Sequence, residues 1–339
     1  MKICLFGFFD PSYSRNSIVV KSLLACEAEV VSVQKEKVSL GGIFSLLFSI
    51  PKDIDVVLVG YSDNRIGVLL AKIFFRGPVI WDAFYSLYDT RVHDRNLVSK
   101  HNLKAWLYWF LDWMNITLAD GYVFDTAAHR EYFEKTFGAK RNKGKVLYIG
   151  SDTEEVSCEE RDVIGFYGKY IPLQGVEKIV EAAALLPEYS FEFIGSGQTY
   201  KAVQERIKEL GVENITCIDR LPYDELMQRV CSWKLALGIF GASEKASRVI
   251  PNKIYDAAAL GKAIITLDTP AVRELFVHDR DIILVDGSPE SVAREIKDLM
   301  EDAERRVRIG DSAKMLSKKK LAKKVLGIEL ISFLRKYVG

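Results

Sequence analysis

Short apolar runs alternate with longer stretches of helical period along most of the chain, a pattern that predicts βα units and a mostly parallel sheet. KICLFGF, EVVSVQ, DVVLVGY, PVIWDAF, GYVFDT and KVLYIG predict strands before residue 150, with helices between them, one beginning near Ser17. The acidic stretch SDTEEVSCEERD, Ser151 to Asp162, carries no period and is expected to be a linker. The alternation then restarts with VIGFYGK, FEFIGSG, ITCIDR, LALGIF, AIITLD and DIILVDG, and a helical tail runs from about Pro289 onward. Each half has enough strands for a doubly wound α/β domain. No sequence repeat relates the halves, so their likeness is one of architecture.

Length agrees with two domains, since 339 residues suit a pair of about 150 each. With 49% hydrophobic and 27% charged residues and a net charge of +1, the chain is that of a folded protein with no global attraction for nucleic acid. Cys4, Cys26, Cys158, Cys217 and Cys231 are scattered without a C-x-x-C pair. Their odd number argues against a disulfide or zinc framework and for reduced thiols in a cytoplasmic protein. The start MKICLFGF lacks the features of a signal peptide and is expected to be a buried strand. Ala105 to Ala119, AWLYWFLDWMNITLA, is densely aromatic but too short to span a bilayer and is interrupted by Asp112 and Asn115, so a buried core helix is expected first and a helix adhering to a membrane surface second.

In open α/β sheets ligands gather past the carboxyl ends of the strands, so strand-end motifs carry the chemistry. Phe166-Tyr167-Gly168-Lys169 ends one strand and Gln174-Gly175-Val176 opens a helix, an arrangement that offers backbone N–H groups and a lysine to a phosphate. A tight turn with a solvated lysine is the equal alternative. Ile194-Gly195-Ser196-Gly197-Gln198 is half of a dinucleotide fingerprint with Tyr200 in place of the third glycine, which disfavours a nicotinamide dehydrogenase. Gly195 and Gly197 still allow close approach of a nucleotide, or simply make a turn.

From Gly241 to Phe276, GASEKASRVIPNKIYDAAALGKAIITLDTPAVRELF places Lys245, Arg248 and Lys253 around the start of a helix that begins about Pro251. Helix N-termini favour acids, so cations concentrated there point to an external anion. Asp256 sits near the start of that helix, where a carboxylate can accept from ribose hydroxyls. In the first half, DPSYSRN offers Arg15 to donor phosphates or serves as turn and cap, with Ser14 or Asn16 starting the helix. The loop WDAFYSLYDTRVHDR crowds Asp82, Asp89, His93 and Asp94 together. The D-x-D at Asp53 to Asp55 precedes its strand and is expected to solvate a turn, with no metal site.

The stretch P-N-K-I-Y-D-A-A-A-L-G-K-A-I-I resembles the donor helix of glycosyltransferase family 4, P-S-K-x-x-E-A-x-A-x-G-x-P-V-I. FYGKYIPLQGVEKIVEAAALL and IGSGQTYKAVQERIKEL resemble further blocks of that family, and the likeness spans about residues 160 to 310. It implies a GT-B architecture, two Rossmann-like domains facing across a cleft: an acceptor-side domain over 1–155, a nucleotide-sugar donor domain over 156–310, and a C-terminal helix over 311–339 packing back on the first domain. By position it implies that Lys169 grips the donor diphosphate and that Asp256 replaces the glutamate that binds ribose. The family's second phosphate-binding lysine falls on Gln174, and the first glutamate of its E-x7-E pair falls on Arg248. A relocated diphosphate clamp follows, in which Arg248 supplies the charge that Gln174 lacks. Asp82, and after it His93, are then the acceptor- or sugar-facing groups.

The implied reaction moves a hexose-type sugar from a nucleoside-diphosphate sugar to a glycan, glycolipid or lipid-linked acceptor with retention of configuration. It needs no metal or other cofactor. A GT-B nucleotide-sugar epimerase and a non-catalytic nucleotide-sugar-binding partner are the alternatives. The basic tail SKKKLAKKVLGIELISFLRKYVG either packs on the first domain or touches anionic lipid, which would make the protein peripheral on the inner face of a membrane.

Overall fold

Each of the apolar runs named above is a strand. The computed structural model describes residues 1–35, 39–47, 49–153 and 156–338, so Glu154 and Glu155 of the expected linker, and with them the expected border at residue 155, lie outside the described residues. The chain divides into two units, Met1–Gly150 with Lys320–Gly339, and Ser151–Lys319.

In the first unit, β1 (Lys2–Phe8), β2 (Glu29–Lys35), β3 (Val56–Val59), β4 (Val79–Asp82), β5 (Gly121–Phe124) and β6 (Gly144–Val146) form one sheet in the order β2-β1-β3-β4-β5-β6. Every pairing is parallel. Its helices are α1 (Ser14–Leu24), α2 (Leu40–Leu47), α3 (Gly67–Phe74), α4 (Leu103–Leu118) and α5 (Ala127–Phe137). Val56–Val59, Val79–Asp82 and Gly121–Phe124 are buried at every position, because helices cover both faces of a parallel sheet.

The second unit repeats this plan with β7 (Arg161–Tyr167), β8 (Ser190–Ile194), β9 (Ile215–Ile218), β10 (Trp233–Leu237), β11 (Ala263–Leu267) and β12 (Ile283–Val285) in the order β12-β11-β10-β7-β8-β9. Its pairings are again parallel. Its helices are α6 (Val176–Ala184), α7 (Tyr200–Leu210), α8 (Tyr223–Ser232), α9 (Asn252–Ala259), α10 (Pro270–Arg273), α11 (Pro289–Glu301) and α12 (Ala303–Leu316). Strand order reverses between β7 and β10, which makes that gap the natural ligand position in this unit.

Unit 2 continues past the expected limit of residue 310, through α12 to Lys319. The last helix, α13 (Lys323–Leu334), belongs to the first unit and buries Leu326, Leu330, Phe333 and Leu334. It approaches α1 at Gly327, where any side chain would collide with the Ser22 carbonyl. Lys145 pairs with Glu329 at 2.6 Å, fixing the helix on the far side as well.

Two expectations are corrected. Cys158 and Cys231 are joined as a disulfide, so the thiols are not all reduced. An odd cysteine count does not forbid one pair, and the fold brings the segment before β7 against the end of α8 across 73 positions of sequence. Cys4, Cys26 and Cys217 are free.

The second correction concerns α4, which is not a core helix of the ordinary kind. Its inward face is Ala105, Asp112, Asn115 and Ile116, while Leu103, Trp106, Leu107 and Trp113 are exposed. The inversion has a local cause in Arg65, which is itself buried. Its Nε donates to Asp112 at 2.8 Å, and Ser86 Oγ and the Tyr88 N–H donate to the other carboxylate oxygen at 2.8 and 3.0 Å. A buried guanidinium requires such a partner, so the helix turns its acid inward and its aromatic rings outward. Among the described residues, no helix is long and apolar enough to cross a membrane.

Asp112→Ala strands Arg65 in the interior and is expected to cost about 3–5 kcal/mol. Urea denaturation, comparing midpoints at constant slope, measures that loss.

Candidate functional site

The carboxyl ends of β7, β8 and β9 surround a cavity of about 470 Å³ in the second unit. Tyr167, Gly168 and Lys169 follow β7, Gly195 to Gly197 follow β8, and Arg220, Leu221 and Tyr223 follow β9. The loops extend the sheet ladder: the Gly168 N–H donates to the Ile194 carbonyl at 3.0 Å and the Gly195 N–H to the Ile218 carbonyl at 2.9 Å. Gly195 has a φ of +129°, and a Cβ there would lie 2.1 Å from the Gly168 carbonyl oxygen. Its small size is therefore demanded first by the neighbouring backbone. Lys169 and Arg220 are exposed at this cavity.

Asp256, on α9, stands behind the cavity with only 5% of its surface exposed. Its carboxylate accepts from Tyr167 OH at 2.5 Å on one oxygen, and from Ser151 Oγ at 2.5 Å, Tyr223 OH at 3.1 Å and Thr153 Oγ1 at 3.4 Å on the other. Burial pushes this carboxyl above its ordinary range and the hydroxyl donors pull it back. The Asp256 carboxylate is thus enclosed by protein hydroxyls. Ser151 and Thr153 come from the stretch expected to be a featureless linker. Of these donors only Tyr167 lies in a motif the sequence singles out.

Lys253 and Gln174 are brought together at the β7/β10 switch point. Lys253 Nζ donates to Gln174 Oε1 at 2.6 Å and to the Gly238 carbonyl at 3.3 Å, and it lies 3.6 Å from the centre of the Phe166 ring. Both side chains are buried, and desolvation lowers the Lys253 pKa well below that of an ordinary lysine. The expected trio of cations is accordingly divided. Lys253 turns into the unit, whereas Lys245 and Arg248 stay on the turn Glu244–Arg248 ahead of α9, with Arg248 3.4 Å from Glu244. The cap of α9 is Pro251, and its first turn contains no acid.

In the first unit, Arg15 is 1% exposed. Its Nε and Nη2 bind both oxygens of Asp82 at 2.9 and 3.0 Å, and Nη1 donates to the Leu147 carbonyl at 3.0 Å. Arg15 is thus a buried clamp on Asp82. The acid at the end of β4 and the arginine of α1, the helix after β1, satisfy each other in a bidentate pair. Asp82 itself is buried, and burial pushes its carboxyl up while Arg15 opposes the shift. His93 is exposed on the turn Asp89–Asp94, edge-on to Tyr88 at 5.1 Å, and is not brought to Asp82 by any direct contact. A second buried acid, Asp125, follows β5 and lies 2.7 Å from His129 Nδ1. Sequence reading passed over this pair, although GYVFDT places Asp125 at a strand end and the histidine four residues on.

Among the described residues, no group of three or more His, Cys, Asp or Glu side chains is placed to hold a metal ion.

Comparison with known proteins agrees with this arrangement. Residues 151–315, nearly the whole second unit, match the family model of the Glycosyl transferases group 1. An uncharacterized glycosyltransferase of Methanocaldococcus jannaschii is 25% identical over 183 residues, 53% of this chain and about half the length of that relative. The whole chain is similar in fold to Anabaena HepE, crystallised with UDP, at a TM-score of 0.73 and 16% identity, covering 99% of this chain and 100% of that one. It is also similar to sucrose-phosphate synthase of Thermosynechococcus elongatus at a TM-score of 0.75 and 10% identity, covering 99% and 98%. Two parallel six-stranded units of this kind are the GT-B architecture, and residues 151–315 of the second unit match the glycosyl transferases group 1 family.

Proposed function

We propose that the chain is a retaining glycosyltransferase of the family 4 type that takes a hexose from a nucleoside-diphosphate sugar, with UDP-glucose as the first donor to test. The observation that carries this reading is the cavity at the β7, β8 and β9 ends, built on a group 1 domain. Anabaena HepE, which shares the fold, was crystallised with UDP and with UDP-glucose.

In this reading the base and ribose occupy the cavity between Gly195–Gly197 and Tyr223, against Arg220. Asp256 acts through Tyr167 and Tyr223, whose phenols it orients toward the nucleotide, and does not itself bind the ribose. The diphosphate lies beyond Gly168, where Lys169 supplies charge. Arg248 and the acid-free start of α9 complete the clamp, with Lys245 at its edge. Catalysis is then the stabilisation of the departing diphosphate while the sugar gains positive character, which these groups can perform without a metal. Gln174 contributes by holding Lys253 beneath the clamp.

The acceptor is a glycan, glycolipid or lipid-linked sugar. Asp82, held by Arg15, serves the acceptor side as a positioning acid, with His93 the accessible titratable group of the same loop.

UDP or UDP-glucose is expected to raise the melting temperature of the protein. Reversing both charges, Lys169→Glu with Arg248→Glu, is expected to weaken UDP binding by at least about tenfold, since a charged hydrogen bond contributes about 1.5–3 kcal/mol. Calorimetric affinity equal to wild type would remove the clamp from the proposal.

Lys253 supplies an independent check. Its folded pKa lies below that of the unfolded chain, so the unfolded state binds more protons between the two values. Stability conferred at alkaline pH is therefore lost as pH falls toward the folded pKa. Lys253→Met lacks this dependence. As pH rises toward the ordinary lysine pKa of about 10.4, wild type is expected to gain stability relative to the variant by at most about 1.4 kcal/mol per pH unit, read from urea midpoints.

A further inference from the structure

The aromatic helix α4 is inside out by the standard of a water-soluble protein. Its buried face carries Asp112 and Asn115, and Leu103, Trp106, Leu107, Phe110 and Trp113 line the opposite side at helical spacing. Leu103 is 80% exposed, Trp106 58% and Leu107 44%. Trp106 stacks on Phe110 at 5.5 Å, so the rings form one surface. The neighbouring helix α3 ends in Ile73 and Phe74, both exposed, and packs beside α4. Scattered exposed leucines need no explanation, but a continuous aromatic and aliphatic face of this kind marks a contact surface.

Charge identifies the partner. From Asn96 to Leu111 the sequence contains Lys100, His101 and Lys104 and no acidic residue. The cations are exposed at the start of the helix, and Arg76 is exposed just past α3. Indole rings flanked by lysines, on a helix with polar groups on its other face, suit the boundary between lipid headgroups and acyl chains. Exposed lysines beside exposed indoles at the start of the helix match an anionic bilayer. The terminal helix α13, by contrast, buries Leu326, Leu330, Phe333 and Leu334 and leaves Ile328 as its exposed large apolar side chain.

We propose that the outer face of α4, with the end of α3, is an interfacial membrane-docking surface that inserts Leu103, Trp106 and Trp113 into an anionic bilayer. The surface lies in the first unit and does not depend on the identity of the donor nucleotide.

The test is flotation of the full chain with vesicles of phosphatidylcholine, with and without phosphatidylglycerol. Wild type is expected to float with the anionic vesicles, and brominated acyl chains are expected to quench its tryptophan fluorescence. The variant Leu103→Ser, Trp106→Ser, Trp113→Ser is expected to keep its melting temperature and to float at least about tenfold less. Lys319→Glu, Lys320→Glu, Lys324→Glu in the tail is expected to float like wild type. The proposal is overturned if wild type fails to float or to be quenched, or if only the tail variant loses binding. It is equally overturned if sedimentation shows a dimer that the α4 variant dissociates, since the occupant would then be a second copy of the chain.

Discussion

A sheet whose strands all point the same way gives its ligand-facing chemistry one place to stand, the loops beyond the carboxyl ends. In the second unit that constraint is carried through to single hydrogen bonds. The ladder runs past the end of the strands through Gly168 to Ile194 and through Tyr170 to Ser196, so the loops are held like further rungs. Lys169, Gly195, Arg220 and Tyr223 are far apart in sequence yet converge on one cavity because β7, β8 and β9 are neighbours. Rigid backbone beneath a site positions side chains more closely than a free loop can.

The same crowding decides which charges face inward. Gln174 stands where the family pattern has a lysine, and its Oε1 accepts from Lys253 at 2.6 Å. A lysine at position 174 would crowd a second amine against Lys253 in a buried space and make protonation of either more costly, so the glutamine and the inward turn of Lys253 belong together. Asp256 tells a related story. One methylene shorter than the family glutamate, it is enclosed by hydroxyls from Ser151, Thr153, Tyr167 and Tyr223. A carboxylate that loses water must be repaid by donors, and four hydroxyls supply them without adding charge.

The strands were legible because burial on both faces writes each as an unbroken apolar run, VVLV and GYVF among them. Strand-end position also drew attention to Lys169, and position near a helix start to Asp256. What the sequence hid were partners from distant segments: Arg15 with Asp82 across 67 positions, Ser151 with Asp256 across 105, Cys158 with Cys231 across 73. No local pattern reports such pairings. Proximity along the chain misled in one case, since Lys245, Arg248 and Lys253 look like one cluster while the turn and the helix start send Lys253 to the other side.

Helix α4 shows why hydrophobic content alone is a poor guide to burial. Read by composition it belongs in a core, yet its inner face is chosen by one carboxylate, because Arg65 is buried and takes Asp112 as its ion-pair partner. The energy of an unpaired interior guanidinium outweighs that of a few exposed rings, which at about 25 cal/mol per Å² is a smaller penalty for each side chain. With the ion pair fixed at Asp112, helical geometry leaves Trp106 and Trp113 no inward position. An aromatic surface is thus produced by an electrostatic requirement inside the fold, and the exposed Lys100 and Lys104 at the start of the helix leave that surface suited to a negatively charged, apolar medium.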